Sequence, residues 1–303
     1  MTVLQGDPHG WSIDVGGTAV AIGVFDGVHL GHREVLKELA STELPSVVLT
    51  FDPHPLALAA PERAPQLIGS VGQRIEWLLD QGVDTVGVLP FAQVRDWTPQ
   101  AFVEVVLVNA LSAKIVAVGE DFRFGRERSG DVDTLRDLGK NGGFQVVALE
   151  LLKESGNHPI SSSVIRELIR SGDVDRAALL LGRAFTVRGP VVKGDGRGKS
   201  IGIPTANVLV SSAAILPGLG VYAAIIDGRQ EAVVNVGHRP TFGGGDVTVE
   251  AHLLDFDGDL YGETLDVALV KQIRSERKFD GSEALVAQIH LDIATARTLL
   301  GGD

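Results

Sequence analysis

A change of hydrophobic period part-way along the chain constrains its fold more than any other feature. From residue 19 to about 150, short apolar runs at 19–25, 46–51, 83–89, 114–119 and 144–149 alternate with segments of three-to-four spacing at 31–44, 73–81, 98–111 and 131–141. Runs of that length suit strands buried on both faces, and the segments between them suit amphipathic helices. The pattern predicts an α/β fold, a Rossmann-like parallel sheet with covering helices. Two further helices are expected, one ending near residue 170 and one over 173–181, closed by Gly182-Arg183. After residue 184, strands at 185–192, 221–226, 232–236, 248–254 and 265–273 follow one another without helices, which reads as a small antiparallel β-barrel. The last segment, 282–300, carries Leu285, Val286, Ile289, Ile293 and Ala296 on one side and predicts a terminal amphipathic helix. Two domains follow, 1–182 and 183–303, in keeping with a length of 303 residues.

Charge and composition narrow the chemistry. With 27 basic and 39 acidic residues the net charge is −12, which argues against a general nucleic-acid or acidic-membrane binder. Any phosphate chemistry must therefore use local positive groups. The absence of cysteine removes disulfides, thiolate metal sites and a cysteine nucleophile. A start without a basic region and apolar stretch, and the lack of any long apolar run, lead to the expectation of a soluble cytoplasmic protein.

Ligands on open parallel sheets bind beyond the carboxyl ends of the strands. Three of the expected strands end in Phe25-Asp26-Gly27, Phe51-Asp52-Pro53-His54-Pro55 and Gly119-Glu120-Asp121-Phe122-Arg123-Phe124-Gly125, clusters that would gather at one edge. The first belongs to Gly23-Val24-Phe25-Asp26-Gly27-Val28-His29-Leu30-Gly31-His32, a strand end, a glycine turn and two histidines where a helix begins. Placed there, His29 and His32 would set imidazole donors beside unpaired backbone N–H groups, the layout of a triphosphate site. Gly31 would let the anion approach the backbone. Farther on, Ile160-Ser161-Ser162-Ser163-Val164-Ile165-Arg166 opens a helix. Its serines read equally as ordinary caps or, with Arg166, as a phosphate cradle.

A second constellation runs from Lys193 to Asn207: Lys193-Gly194-Asp195-Gly196-Arg197-Gly198-Lys199-Ser200-Ile201-Gly202-Ile203-Pro204-Thr205-Ala206-Asn207. It is not a Walker A loop, because the residue order and the following helix are missing. A glycine-rich flap carrying Lys193, Arg197 and Lys199 can still neutralise phosphates, and Thr205 and Asn207 offer hard oxygen ligands suited to magnesium before or within a Pro-Thr-Ala-Asn turn. The competing reading is a surface hairpin loop. Glu250, in Val247-Thr248-Val249-Glu250-Ala251-His252, fits the outward face of an alternating strand on pattern alone.

These motifs, in this order and spacing, resemble the bacterial bifunctional riboflavin kinase and FAD synthetase family over nearly the whole chain. Tyr261-Gly262-Glu263 and Ile273-Arg274-Ser275-Glu276-Arg277-Lys278-Phe279 are similar to the family's kinase end. The resemblance implies an N-terminal FMN adenylyltransferase and a C-terminal riboflavin kinase. Riboflavin, FMN and ATP are its small-molecule substrates, Mg²⁺ its metal and FAD its product, with no nucleic-acid or membrane partner. It implies that His29 and His32 meet the ATP phosphates and that Ser162, Ser163 and Arg166 hold the leaving pyrophosphate. Phe25, Asp26 and Asp121 would lie against adenosine or flavin, with Gly23 and Gly31 belonging to the same binding motif. Glu250 would be the kinase base. Lys193, Gly194, Gly196, Arg197, Gly198, Lys199 and Pro204 would form the nucleotide flap, Thr205 and Asn207 the metal site, and Arg274 and Phe279 the flavin pocket. Two positions depart from the family pattern: Ser163, where threonine is usual, and Asp121, where asparagine is common. A single working module, or a flavin-binding regulator without turnover, stands as the alternative.

Overall fold

The apolar runs of the first part become six parallel strands, β1 (Thr2–Leu4), β2 (Thr18–Ile22), β3 (Ser46–Asp52), β4 (Thr85–Pro90), β5 (Ala113–Gly119) and β6 (Gln145–Leu149), in the order β1-β4-β3-β2-β5-β6. This computed structural model describes residues 1–13, 15–150, 152, 160–194, 196, 198, 201–238 and 247–301. Every residue of β2 is buried, and its side chains alternate between two cores. Val20 and Ile22 pack with Val47, Leu49 and Leu107 on one face. Ala19 and Ala21 pack with Leu36, Leu39 and Leu78 on the other. Covering both faces is what a continuous apolar strand requires. The chain runs outward from β2 through β3 to β4 and returns on the other side through β5 to β6, so the loop after β2 leaves the sheet at its switch point, where neighbouring connections diverge.

Helices α1 (Leu30–Ala40), α2 (Pro55–Ala59), α3 (Val71–Asp80), α4 (Phe91–Val94), α5 (Pro99–Phe102) and α6 (Val132–Gly142) fill the connections. Ser70 and Gln73 close a capping box at the start of α3. Helix α1 stops at Ala40 rather than near residue 44, because the Ser41 and Thr42 hydroxyls donate to the Glu38 and Leu39 carbonyls. The helix expected over 98–111 is two pieces, α5 and a π-helical turn at Val103–Ala110. Strand β2 ends at Ile22, not Phe25, since Phe25 turns to φ +52°. The edge strand β1 lies outside the sequence expectation, being three residues with little burial.

Contacts divide the chain into two compact units, Met1–Pro65 with Ser70–Ser161, and Gln66–Gly69 with Ser162–Asp303. The second holds α7 (Ser162–Ser171) and α8 (Val174–Leu181), the latter ended by Gly182 in the left-handed conformation. Its strands β7 (Phe185–Val192), β8 (Ala206–Val208), β9 (Gly220–Ile226), β10 (Gln230–His238), β11 (Val247–Leu253) and β12 (Thr264–Ser275) close an antiparallel barrel in the order β10-β11-β8-β7-β12-β9. Irregularities in β12 between Leu269 and Lys271 and between Gln272 and Arg274 bend the longest strand as closure demands. The Pro-Thr-Ala-Asn segment, read from sequence as a turn, enters the barrel as β8. Helix α9 (Ser282–Leu300) packs Ala296 against Val221, Ala223, Val233 and Leu254, with Ile293 partly buried beside them.

Candidate active sites

In the first unit, the backbone after β2 makes an unusual turn. Phe25 has φ +52° and Val28 φ +39°, with Gly27 at +82° between them, and the Val28 N–H donates to the Phe25 carbonyl at 3.0 Å. A β-branched residue in that region is strained and persists only where its surroundings impose it. The turn delivers His29 as the N-cap of α1, its Nδ1 accepting from the His32 N–H at 3.3 Å. Because Nδ1 is an acceptor, a neutral His29 carries its proton on Nε2 and presents that N–H as a donor. The His29 and His32 rings stack with centroids 3.6 Å apart, and the buried Phe25 ring lies 5.0 Å from His32.

Two glycines in the motif are explained by packing. A Cβ at Gly31 would lie 3.2 Å from both the His29 ring and the Ile160 carbonyl, and one at Gly23 would lie 3.1 Å from the Phe25 ring. Gly31 therefore leaves room for the His29 imidazole and for the Ile160 carbonyl, where a side chain would press on both. Asp26 is 2% exposed and sits inside the protein, whereas Asp121, beyond β5, is exposed. His54 caps α2, its Nδ1 accepting from the Leu56 N–H at 3.1 Å.

Sequence reasoning missed Arg74 of α3, which is 1% exposed. Its Nη1 donates to Thr50 Oγ1 at 2.8 Å and to the Phe51 carbonyl at 3.0 Å, and Thr50 Oγ1 in turn donates to the Val24 carbonyl at 2.8 Å. Burial pushes the guanidinium pKa down, while the Asp26 and Asp52 carboxylates push it up. The available signal was an arginine four residues before the buried Leu78, on the stripe that faces the sheet.

In the second unit, Ser162 and Ser163 open α7, and Ser162 lies one turn before Arg166. The Arg166 guanidinium is buried, with Nε donating to the Gln66 carbonyl at 2.8 Å.

The barrel site is made by register. Asn207 on β8 stands opposite Glu250 on β11, Glu250 opposite Asn235 on β10, Asn235 opposite Val221 on β9, and Val221 opposite Arg274 on β12. These five residues form one cross-strand row, and all five line a cavity of about 430 Å³. Thr205 lines it too, and also a second cavity of about 440 Å³ that includes Pro204, Ala206 and Tyr261. His252 Nδ1, 2.7 Å from the Pro204 carbonyl, fixes the approach to Thr205.

Gly194 and Gly198 permit close approach: a Cβ at Gly194 would collide with the Asn207 amide, and one at Gly198 with the Ile203 carbonyl. Gly196 and Gly198 line the first cavity, and Lys193 is exposed. Arg197 and Lys199 lie outside the described residues.

Arg274 and Phe279 are brought to the same cavity as Glu250. Arg274 is clamped by Asp292 of α9, Nε to Oδ2 at 3.0 Å and Nη2 to Oδ2 at 2.9 Å, with Nε also 3.1 Å from Oδ1. Asp292 is 2% exposed and also accepts from Gln288 Nε2 at 2.7 Å, and Gln288 Oε1 accepts from Arg277. The Arg277 and Arg274 guanidinium carbons lie 4.7 and 5.5 Å from the Phe279 ring centroid. Neither Asn235 nor Asp292 was anticipated from sequence. Among the described residues no cluster of three or more His, Asp or Glu is suited to a metal. The neutral oxygens of Thr205 and Asn207 beside Glu250 nevertheless fit Mg²⁺, which keeps waters and takes much of its coordination from substrate phosphates.

A family profile described as FAD synthetase matches residues 13–164, and one described as riboflavin kinase matches 181–300. The bifunctional riboflavin kinase/FMN adenylyltransferase of Escherichia coli K12 is 39% identical over 294 residues, which cover 94% of this chain and 93% of that protein. The chain belongs to the bifunctional riboflavin kinase/FMN adenylyltransferase family. The Bacillus subtilis member is 36% identical, with 91% of this chain and 90% of that protein covered. A solved structure described as a macrolide-efflux protein from Streptococcus pneumoniae has a TM-score of 0.84 at 31% identity, covering 98% of each chain. That description is of the pneumococcal protein; among the described residues here, no helix is long and apolar enough to cross a membrane. As a member of this bifunctional family, the protein phosphorylates riboflavin with ATP to give FMN, and transfers AMP from a second ATP to FMN to give FAD and pyrophosphate.

Proposed function

We propose that the barrel is the riboflavin kinase with Glu250 as its general base, and that the parallel-sheet unit carries adenylyl transfer through the His29–His32 turn. The observation that carries the kinase half is the row Asn207–Glu250–Asn235 opening into a cavity that Thr205 joins to a second one. Riboflavin enters the cavity of Glu250, with Arg274 and Phe279 along its ring system, and ATP enters across Thr205. Glu250 accepts the proton of the ribityl 5′-hydroxyl as that oxygen bonds to the γ-phosphorus; the bond to the β-bridging oxygen breaks and ADP leaves. Mg²⁺, when bound, neutralises charge on the phosphates. Thr205 and Asn207 would hold it, while Gly194, Gly196 and Gly198 let the flap follow the phosphates and Lys193, Arg197 and Lys199 add positive charge.

For adenylyl transfer, an FMN phosphate oxygen attacks the α-phosphorus of ATP in line, and the bond to the β-phosphate breaks without a covalent enzyme intermediate. His29 Nε2–H, the His32 ring and the first N–H groups of α1 stabilise charge growing on the phosphates. Ser162, Ser163 and Arg166 are assigned to the leaving pyrophosphate on their motif. The buried Asp26 supports the turn, and Gly23 and Phe25 shape it; Asp121 is placed at the rim of the nucleotide site. The functional domains are read as 1–182 and 183–303, and the setting as the cytoplasm, where ATP is supplied.

A chromatographic time course with riboflavin, ATP and Mg²⁺ tests the whole reading. FMN rises first and FAD follows. Flavin binding without conversion, even from added FMN, would leave a flavin-binding regulator in place of the enzyme.

A further inference from the structure

We propose that Arg74 is a positioning residue for adenylyl transfer, holding the strained histidine turn in its working shape through Thr50 and Val24. The inference rests on the assignment of His29 and His32 to the ATP phosphates. The chain of contact is continuous. The Arg74 guanidinium donates to Thr50 Oγ1, and the Thr50 hydroxyl donates to the Val24 carbonyl, the peptide oxygen just before Phe25 at φ +52°. The Phe25 ring packs on His32, and His32 stacks on His29. One end of this chain is a buried cation and the other a pair of phosphate donors.

Two observations separate this role from ordinary packing. Arg74 is 1% exposed, and its guanidinium is taken out of water to set one nitrogen, Nη1, on both the Thr50 hydroxyl and the Phe51 carbonyl. Burying a guanidinium is costly and calls for a compensating reason. The turn also holds two non-glycine residues at positive φ, a conformation that relaxes unless something opposes it. The oxygen that Thr50 grips is at the start of that turn, where a small rotation of the peptide is carried into the Phe25 ring and from there to both imidazoles.

The test uses the full chain and reads both activities. Arg74→Met keeps most of the stem but removes the donors and charge, and Thr50→Val removes only the link. Because a misplacement of about 1 Å typically costs about a hundredfold in rate, Arg74→Met should lower kcat for FAD formation at least about tenfold and Thr50→Val about threefold or more. KM for ATP and the riboflavin kinase rate should stay within about twofold, since the residues act on the turn and not on ground-state binding. The double variant should be no slower than Arg74→Met alone, and the His32 ring proton resonances should move in both single variants. Arg74→Lys should recover part of the loss. If Arg74→Met does not fold, Thr50→Val carries the decision. A kcat within twofold of the parent in Thr50→Val, additive losses in the double variant, or unmoved His32 resonances would overturn the inference. His32→Ala serves as the separate control: full adenylylation in that variant overturns the phosphate assignment itself, whatever Arg74 does.

Discussion

The two candidate sites are built in opposite ways. In the parallel-sheet unit, ten consecutive residues from Gly23 to His32 provide the turn proposed for adenylyl transfer, and the fold's task is to hold a strained backbone against relaxation. In the barrel, Asn207, Glu250, Asn235 and Arg274 come from four different strands, and no segment contains more than one of them; pairing register alone makes them neighbours. The supports differ accordingly. A buried arginine acts through hydroxyl and carbonyl groups beneath the turn, whereas a buried aspartate on a terminal helix clamps the arginine of the barrel row directly. A local motif thus needs a backbone buttress, and a register-built site needs side-chain clamps. Damage to either should stay within its own activity.

The sharpest break between the two is Glu250→Gln. It should lower riboflavin phosphorylation by about 10²–10⁴ while FAD formation from supplied FMN continues, measured by separate flavin assays. Next in size, His32→Ala should lower FAD formation by about 10²–10³ and leave the kinase intact. Loss of both activities in either folded variant would erase the comparison. Asp292→Asn probes the clamp: it should destabilise the barrel by about 2–3 kcal/mol in denaturant unfolding, because the Arg274 guanidinium keeps a neutral acceptor in place of a charged one. It should also raise KM for riboflavin more than it changes kcat; an unchanged KM would detach Asp292 from the pocket.

The smallest effect belongs to Asp84, which accepts from the Ser46 N–H at 2.9 Å and the Ser46 hydroxyl at 2.7 Å and so ties the start of β3 to that of β4. Those bonds hold its pKa below the ordinary carboxylate value, so its contribution is complete above the unfolded-state pKa and is lost as pH falls through the folded one. Asp84→Asn should cost about 1 kcal/mol at neutral pH, with the stability curves of variant and parent converging in acid.

Much of the fold was legible because it depends on period. The apolar run that contains β2, the barrel strands and the stripe on α9 each declare their burial within a few residues. The histidine turn itself was legible for the same reason, since its histidines and glycines are adjacent in sequence. The packing around Gly31 was not, because its neighbours are the folded-back ring of His29 and the Ile160 carbonyl, far along the chain. Strand β8 was hidden as well: three residues carry no period, and only its pairing with β7 and β11 makes Asn207 face Glu250.

By itself, then, the sequence determined the two architectures and the histidine turn, all of them properties of contiguous residues. Tertiary structure alone decided that Asn235 joins Glu250, that Asp292 meets Arg274 and that Arg74 lies under Val24. Burial of a polar side chain becomes favourable only when its partner arrives from another element, and which element arrives is set by packing and register.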